Sequence, residues 1–253
     1  MINRLFPTLL FFICFFYSLP QTAKAQNNEW ENPVKYEWNK EKPHADFRLY
    51  ERADDAVNDN LPKSFWQHSL NGVWKFIYAP TIAASIKDFY RIDLPDSNWD
   101  TITVPSNWEI QGFGEPIIRN IQYVFSSNPP YIDVDNPVGT YRRTFTVPRN
   151  WQEREVFLHF GSISGYARIY VNGQQVGMTK ASKTPAEFNV TNYLKEGENL
   201  LAVQIYRWHD GSYMEDQDFW RLTGIERDVF LQAYPKLTIW DFFLKSSLDS
   251  TYK

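Results

Sequence analysis

The sequence predicts an all-β fold, a sandwich of jelly-roll type. Three observations predict it: short runs alternating large apolar and polar residues, Gly, Pro, Asn or Asp at the ends of those runs, and almost no helical periodicity. The first run is SLNGVWKFIYAP from Ser69, which alternates around Trp74, Phe76 and Tyr78. TITVPSNWEI follows, with a strand ending at Pro105. YRRTFTVP (141–148), REVFLHFGSI (154–163), ARIYVNGQQVG (167–177) and NLLAVQIYRW (199–208) come next. Each is rich in β-branched and aromatic side chains, which suit a pleated, half-buried surface. Asn172-Gly173 between IYV and QQV is the strongest hairpin signal, because both residues tolerate the positive φ that a two-residue turn requires. One helical turn is expected at VTNYLKEG (190–197), closed by Gly197.

The ends carry different signals. MINR, the apolar run LFPTLLFFICFFYSLP and the small-x-small step Ala23-Lys24-Ala25 have the form of a secretory signal peptide spanning residues 1–25. The expected product is periplasmic or secreted, with no membrane attachment after cleavage. Cys14, the only cysteine, sits between bulky Ile13 and Phe15 in the apolar run, so neither a disulfide nor lipid attachment is expected. Residues 26–62 read as an irregular arm and 63–235 as the sandwich. Residues 236–253 read as one strand opening an immunoglobulin-like domain, and one strand cannot bury a face.

Without Arg4 and Lys24, 24 basic side chains face 30 acidic ones. That balance, with no basic patch, argues against nucleic acid and anionic membrane as partners. Aromatics make up 17% of the chain, with ten tryptophans, enough for both a sandwich core and a carbohydrate surface. His44, His68, His159 and His209 are scattered without zinc spacing.

The segment RWHDGSYMEDQDFWRLTGIERDV (207–229) holds the most chemistry. Asp210, Glu215, Asp216 and Asp218 lie among Trp208, Tyr213, Phe219 and Trp220. Sugar hydroxyls need acceptors, and the apolar face of a pyranose needs a flat partner. The plainer readings are an ordinary Asp-Gly-Ser turn and a solvated acidic loop. Trp208 and Trp220 read as framework aromatics beneath the loop rather than sugar platforms. Asp216 and Asp218 do not read as a hydrolytic pair, since nothing nearby supplies an acid with a raised pKa beside a nucleophile.

These stretches, with WENP (30–33), VPSNWEIQGFGEPIIRNIQY (104–123), NPP (128–130), DNPVGTYRRTF (135–145) and VNGQQVG (171–177), occur in one order across nearly all of residues 29–235. Together they resemble the N-terminal, galactose-binding-domain-like jelly roll of lac-type bacterial β-galactosidases, glycoside hydrolase family 2. The resemblance implies a hydrolase of terminal β-galactosides, retaining, with both catalytic glutamates on a (β/α)8 barrel outside this chain. This chain alone is therefore expected to be inactive. By position, Asp218 resembles the aspartate that contacts galactosyl hydroxyls and a sodium ion. Asn120 resembles a sugar-binding asparagine, and Ile121 a residue lining the same subsite. The resemblance further implies that Glu29, Asn32 and Asp210 match magnesium ligands, while Lys180 falls where relatives carry a glutamine. An ammonium has no lone pair to give, so Lys180 is expected to replace the metal, set against Glu29 and Asp210. Neither sodium nor magnesium is expected on this chain alone. Homo-oligomers are implied for the complete enzyme. The alternatives are a non-catalytic carbohydrate-binding module, or another family 2 activity such as β-glucuronidase or β-mannosidase.

Overall fold

A computed structural model describes residues 28–59, 65–119, 122–215, 218 and 220–252. The signal-like segment and the first two residues of the arm lie outside the described residues. Among those described, the strands are β1 (Glu37–Trp38), β2 (Gln67–Ser69), β3 (Gly72–Ala79), β4 (Asp100–Val104), β5 (Ser106–Asn107), β6 (Val138–Thr146) and β7 (Arg154–Phe160). They continue with β8 (Ile163–Ser164), β9 (Tyr166–Val171), β10 (Gln174–Thr179), β11 (Ala186–Asn189), β12 (Glu198–Tyr206), β13 (Gly224–Ile225) and β14 (Val229–Pro235).

One sheet runs β1-β10-β9-β12-β6-β3-β4, a second runs β11-β7-β14-β2, and β5-β13-β8 forms a small third. All pairings are antiparallel. Alternate residues from both larger sheets meet in the core: Trp74 and Phe76 on β3, Ile169 and Val171 on β9, Leu201, Val203 and Ile205 on β12, against Leu158 and Phe160 on β7 and Leu231 and Ala233 on β14. Alternate side chains thus face the shared core, as an antiparallel sandwich requires, while the other face of β12 is covered as well; this bears out the all-β expectation.

Local chemistry explains the register. Asn172 (φ 50) and Gly173 (φ 84) form the two-residue turn between β9 and β10. Gly139 on β6 is required by a close approach, since a Cβ there would overlap the ring of fully buried Trp108. Gly139→Ala is expected to cost about 2–3 kcal/mol of unfolding free energy, read by urea denaturation. An unchanged midpoint would show that Trp108 moves freely.

Three local expectations are refined. The turn expected at 190–197 is a single 3-10 turn over Thr191–Tyr193. Asn189 Oδ1 accepts from the Thr191 amide (3.1 Å) and hydroxyl (2.7 Å), a local bond that competes with helix continuation. The arm is not irregular throughout. It adds β1 to the edge of the large sheet, pairing Glu37 with Thr179 and Trp38 with Met178, and forms the short helix α1 (Ala53–Val57). Residues 236–252 contain no strand, because ladder bonds need a partner. Trp240 nevertheless packs on Phe157 (5.0 Å) and Tyr234 (5.4 Å), while Leu237, Phe243 and Leu244 face solvent. No helix among the described residues is long and apolar enough to cross a membrane.

Candidate functional site

The acidic loop leaves β12 at Arg207 and returns before β13. Its base is built on buried groups. Trp208 exchanges two hydrogen bonds with Asn136: its amide donates to Oδ1 (2.8 Å), and its carbonyl accepts from Nδ2 (2.7 Å). The Trp208 ring packs edge-on against Phe125 at 5.7 Å, so Trp208 is framework, as the sequence suggests. Trp220, expected to be framework too, is 48% exposed.

A 3-10 turn spans Asp210–Tyr213. His209, wholly buried, stands at its N-cap: in the neutral imidazole Nδ1 accepts from the Gly211 amide (3.1 Å), and the His209 amide donates to Ser212 Oγ (3.1 Å). Tyr213 then pins the loop to residues 123–131. Its hydroxyl has one proton to share between the carbonyls of Tyr131 (2.6 Å) and Ser126 (2.9 Å), and its own carbonyl accepts from the Tyr123 hydroxyl (2.9 Å). Arg221 closes the far side, donating from Nη1 to the Ser212 carbonyl (3.2 Å), while its amide donates to the Ile117 carbonyl (2.7 Å).

Asp218 lies further along the same loop. It is exposed, in a bend, with φ 57, a left-handed conformation that aspartate adopts more readily than branched residues. It makes no hydrogen bond to another described residue, so its oxygens are available to an outside donor. Asn120 and Ile121 lie outside the described residues, as do Asp216 and Phe219. The other proposed site residues fall elsewhere: Lys180 and Asp210 sit at the loop's base and line a groove of about 610 Å³ with Tyr36, Pro129, Pro130, Tyr213 and Met214, Asn32 joins them through its carbonyl, and Glu29 pairs with Lys35 and Tyr166 instead. Sequence reasoning missed His209 as a capping residue, although its partners Gly211 and Ser212 are local and a His-x-x-Ser spacing was there to be read, and missed the buried Arg207–Glu109 pair (3.5 Å), which joins side chains remote in sequence.

The charges at the base are coupled. Burial alone would push the His209 imidazole down, but Asp210 (3.6 Å) and Glu215 (3.4 Å) flank it and hold it above its ordinary 6.5. Nε2 makes no aligned hydrogen bond, so the attraction to Glu215 is mainly one of charge. Burial likewise opposes ionisation of Asp210 and Glu215, yet His209, joined for Asp210 by Lys180, holds both below the ordinary carboxylate values. A raised imidazole contributes stability that is complete below 6.5 and lost as pH rises through its folded pKa. The lowered carboxylates contribute stability that is complete above their ordinary values and lost as pH falls through their folded ones. Stability is therefore expected to decline on both sides of a mildly acidic optimum, read by urea midpoints across pH. His209→Gln is expected to remove the alkaline decline, and an unchanged alkaline limb would overturn that assignment.

The magnesium ligands that the resemblance implies do not fit a metal. Lys180 Nζ occupies the centre of the set, 3.0 and 3.2 Å from the Asp210 carboxylate oxygens and 2.9 Å from the Asn32 carbonyl, and the residue is 4% exposed. Glu29 turns away, accepting from Lys35 and from the Tyr166 hydroxyl. Among the described residues, no group of three or more His, Cys, Asp or Glu side chains is placed to hold a metal ion.

The structure defines an antiparallel β-sandwich domain whose acidic loop is braced on aromatic rings. Residues 67–235 match the family model described as "Glycosyl hydrolases family 2, sugar binding domain", and the chain belongs to that family. It is 39% identical over 244 residues to a β-galactosidase of Priestia megaterium, covering 94% of this chain and 23% of that protein. It is 41% identical over 227 residues to a β-galactosidase of Vibrio cholerae, covering 90% and 22%. The chain thus spans less than a quarter of the curated relatives it matches. Among solved structures it is similar to a β-glucuronidase of Bacteroides uniformis, with a TM-score of 0.52 and 28% identity over 67% of this chain and 18% of that one.

Proposed function

We propose that the chain is the N-terminal part of an exported β-galactosidase, in which this domain completes the galactose subsite of a separate catalytic barrel. The observation that carries the reading is the identity of 39–41% to two β-galactosidases across at least nine-tenths of the chain. Exposed Asp218 would accept from two galactosyl hydroxyls, and by the family resemblance Asn120 and Ile121 would serve the same subsite. A sodium ion, where bound, supplies a hard positive charge that holds sugar oxygens; Asp218 is the group this chain offers to it. Both catalytic glutamates would belong to the barrel, and residues 1–25 would direct export.

A second reading, β-glucuronidase, is favoured by the solved-structure likeness. Expressing the coding sequence together with whatever continues it and assaying chromogenic β-galactoside against β-glucuronide separates the two. The expected result is hydrolysis of the galactoside by the longer product and none by residues 26–253 alone. Preference for the glucuronide, or turnover by the shorter chain, would overturn the proposal.

A further inference from the structure

Three segments remote in sequence meet at Lys180. The Lys180 amide donates to the Tyr36 carbonyl (3.0 Å), continuing the β1–β10 ladder. Its ammonium donates to the Asn32 carbonyl of the arm and to both oxygens of Asp210 at the base of the acidic loop. All of these acceptors are oxygens, and a carboxylate with a backbone carbonyl is the donor chemistry a hard divalent cation takes. Such an ion sits about 2.0–2.6 Å from its ligands and needs six or more of them. Three N–H groups instead reach these oxygens at hydrogen-bond length, in the space the ion would need.

The second carboxylate at this junction is also provided for. Glu29 is not left facing Lys180 but is ion-paired with Lys35, six residues along the same arm, and accepts from the Tyr166 hydroxyl. Trp30 between them packs on the Tyr206 ring at 5.0 Å, which fixes where Glu29 lies. A dication placed between Glu29 and Asp210 would neutralise two carboxylates at once. Here two lysines do so, one carboxylate each.

We propose that Lys180 and Lys35 together replace a divalent cation at the junction of arm and acidic loop, so that the loop's attachment is independent of magnesium and calcium. Lys180 is a positioning residue: it touches no sugar and acts by holding Asp210, from which the loop to Asp218 departs. The inference rests on this geometry and not on which sugar the domain takes, so its failure would leave the galactoside proposal standing.

The test is thermal unfolding of the full chain in chelator, then in millimolar magnesium chloride or calcium chloride, each against sodium chloride of matched ionic strength. The wild-type melting temperature is expected to be the same in all of them, and calorimetry with magnesium alone is expected to give no heat of binding. The doubly substituted protein, Lys35→Gln with Lys180→Gln, presents two amide oxygens, that of residue 180 in the ammonium's place, and two released carboxylates. It is expected to melt lower in chelator and to recover by on the order of 5–10 °C once magnesium is about a hundredfold above its dissociation constant. A saturable magnesium-dependent rise in the wild type would overturn the proposal. So would a doubly substituted chain that melts cooperatively yet does not respond to either ion. Should that variant not fold, the wild-type melting and calorimetry still decide.

Discussion

Asp218→Ala in the longer enzyme proposed above is expected to lower kcat/KM on a β-galactoside by on the order of 10²- to 10⁴-fold, with the melting temperature unchanged. A hydrogen bond to an ionised group contributes about 1.5–3 kcal/mol, and a carboxylate accepting from two hydroxyls makes two of them. One tenfold step corresponds to about 1.36 kcal/mol. The fold is insulated from the loss because Asp218 is exposed and bonded to no other described residue. Asp218→Asn keeps the shape and one acceptor but not the charge, so it should retain more activity than the alanine variant. Steady-state kinetics beside calorimetric melting make the distinction. A drop in melting temperature matching the drop in rate would mean that Asp218 holds the loop together rather than the sugar.

Arg207→Met is expected to have the largest effect on stability, about 3–5 kcal/mol. The Arg207 guanidinium lies 3.5 Å from the Glu109 carboxylate, and both side chains are almost fully enclosed, at 5% and 0% exposure. Its Nη2 also donates to the carbonyls of Glu115 and Arg221, both at 3.0 Å. Burial already raises the Glu109 pKa, although the Thr223 amide donates to Oε2 at 2.9 Å and the arginine charge lies nearby. Methionine fills much of the volume but leaves that carboxyl without its counter-charge. Glu109→Gln combined with Arg207→Met should therefore cost less than the two single changes added together. Urea unfolding of the four proteins measures the coupling, and strict additivity would show that the two groups do not act as a pair.

Much of the fold was legible because it is written in neighbouring residues. Alternation around Trp74, Phe76 and Tyr78 marks a strand half in the core, and Asn172-Gly173 marks a turn whatever the strands go on to meet. The acidic loop was legible as chemistry, since DGSYMEDQDFW crowds acceptors among rings. Lys180 was legible as a misfit cation in a set of oxygen donors, once the resemblance had identified the set.

Pairing across the chain was not legible. Trp208 and Trp220 flank the same loop, yet one is 6% and the other 48% exposed, because only Trp208 lies over Phe125 and Asn136. Nothing near Glu109 announces Arg207, almost a hundred positions later. His209 reads as any histidine beside acids until burial places Asp210 and Glu215 on either side of it. Of the strand expected in 236–253, the described part, 236–252, forms none, because a run of β-forming residues acquires ladder bonds only from a neighbour.

The sequence alone determined an antiparallel sandwich with one acidic, ring-crowded loop, because side-chain alternation and turn chemistry act over a few residues. The tertiary structure decided which charges that loop rests on. Desolvation and Coulomb attraction depend on distance in space, and folding sets that distance between residues as far apart as Asn32, Lys180 and Asp210.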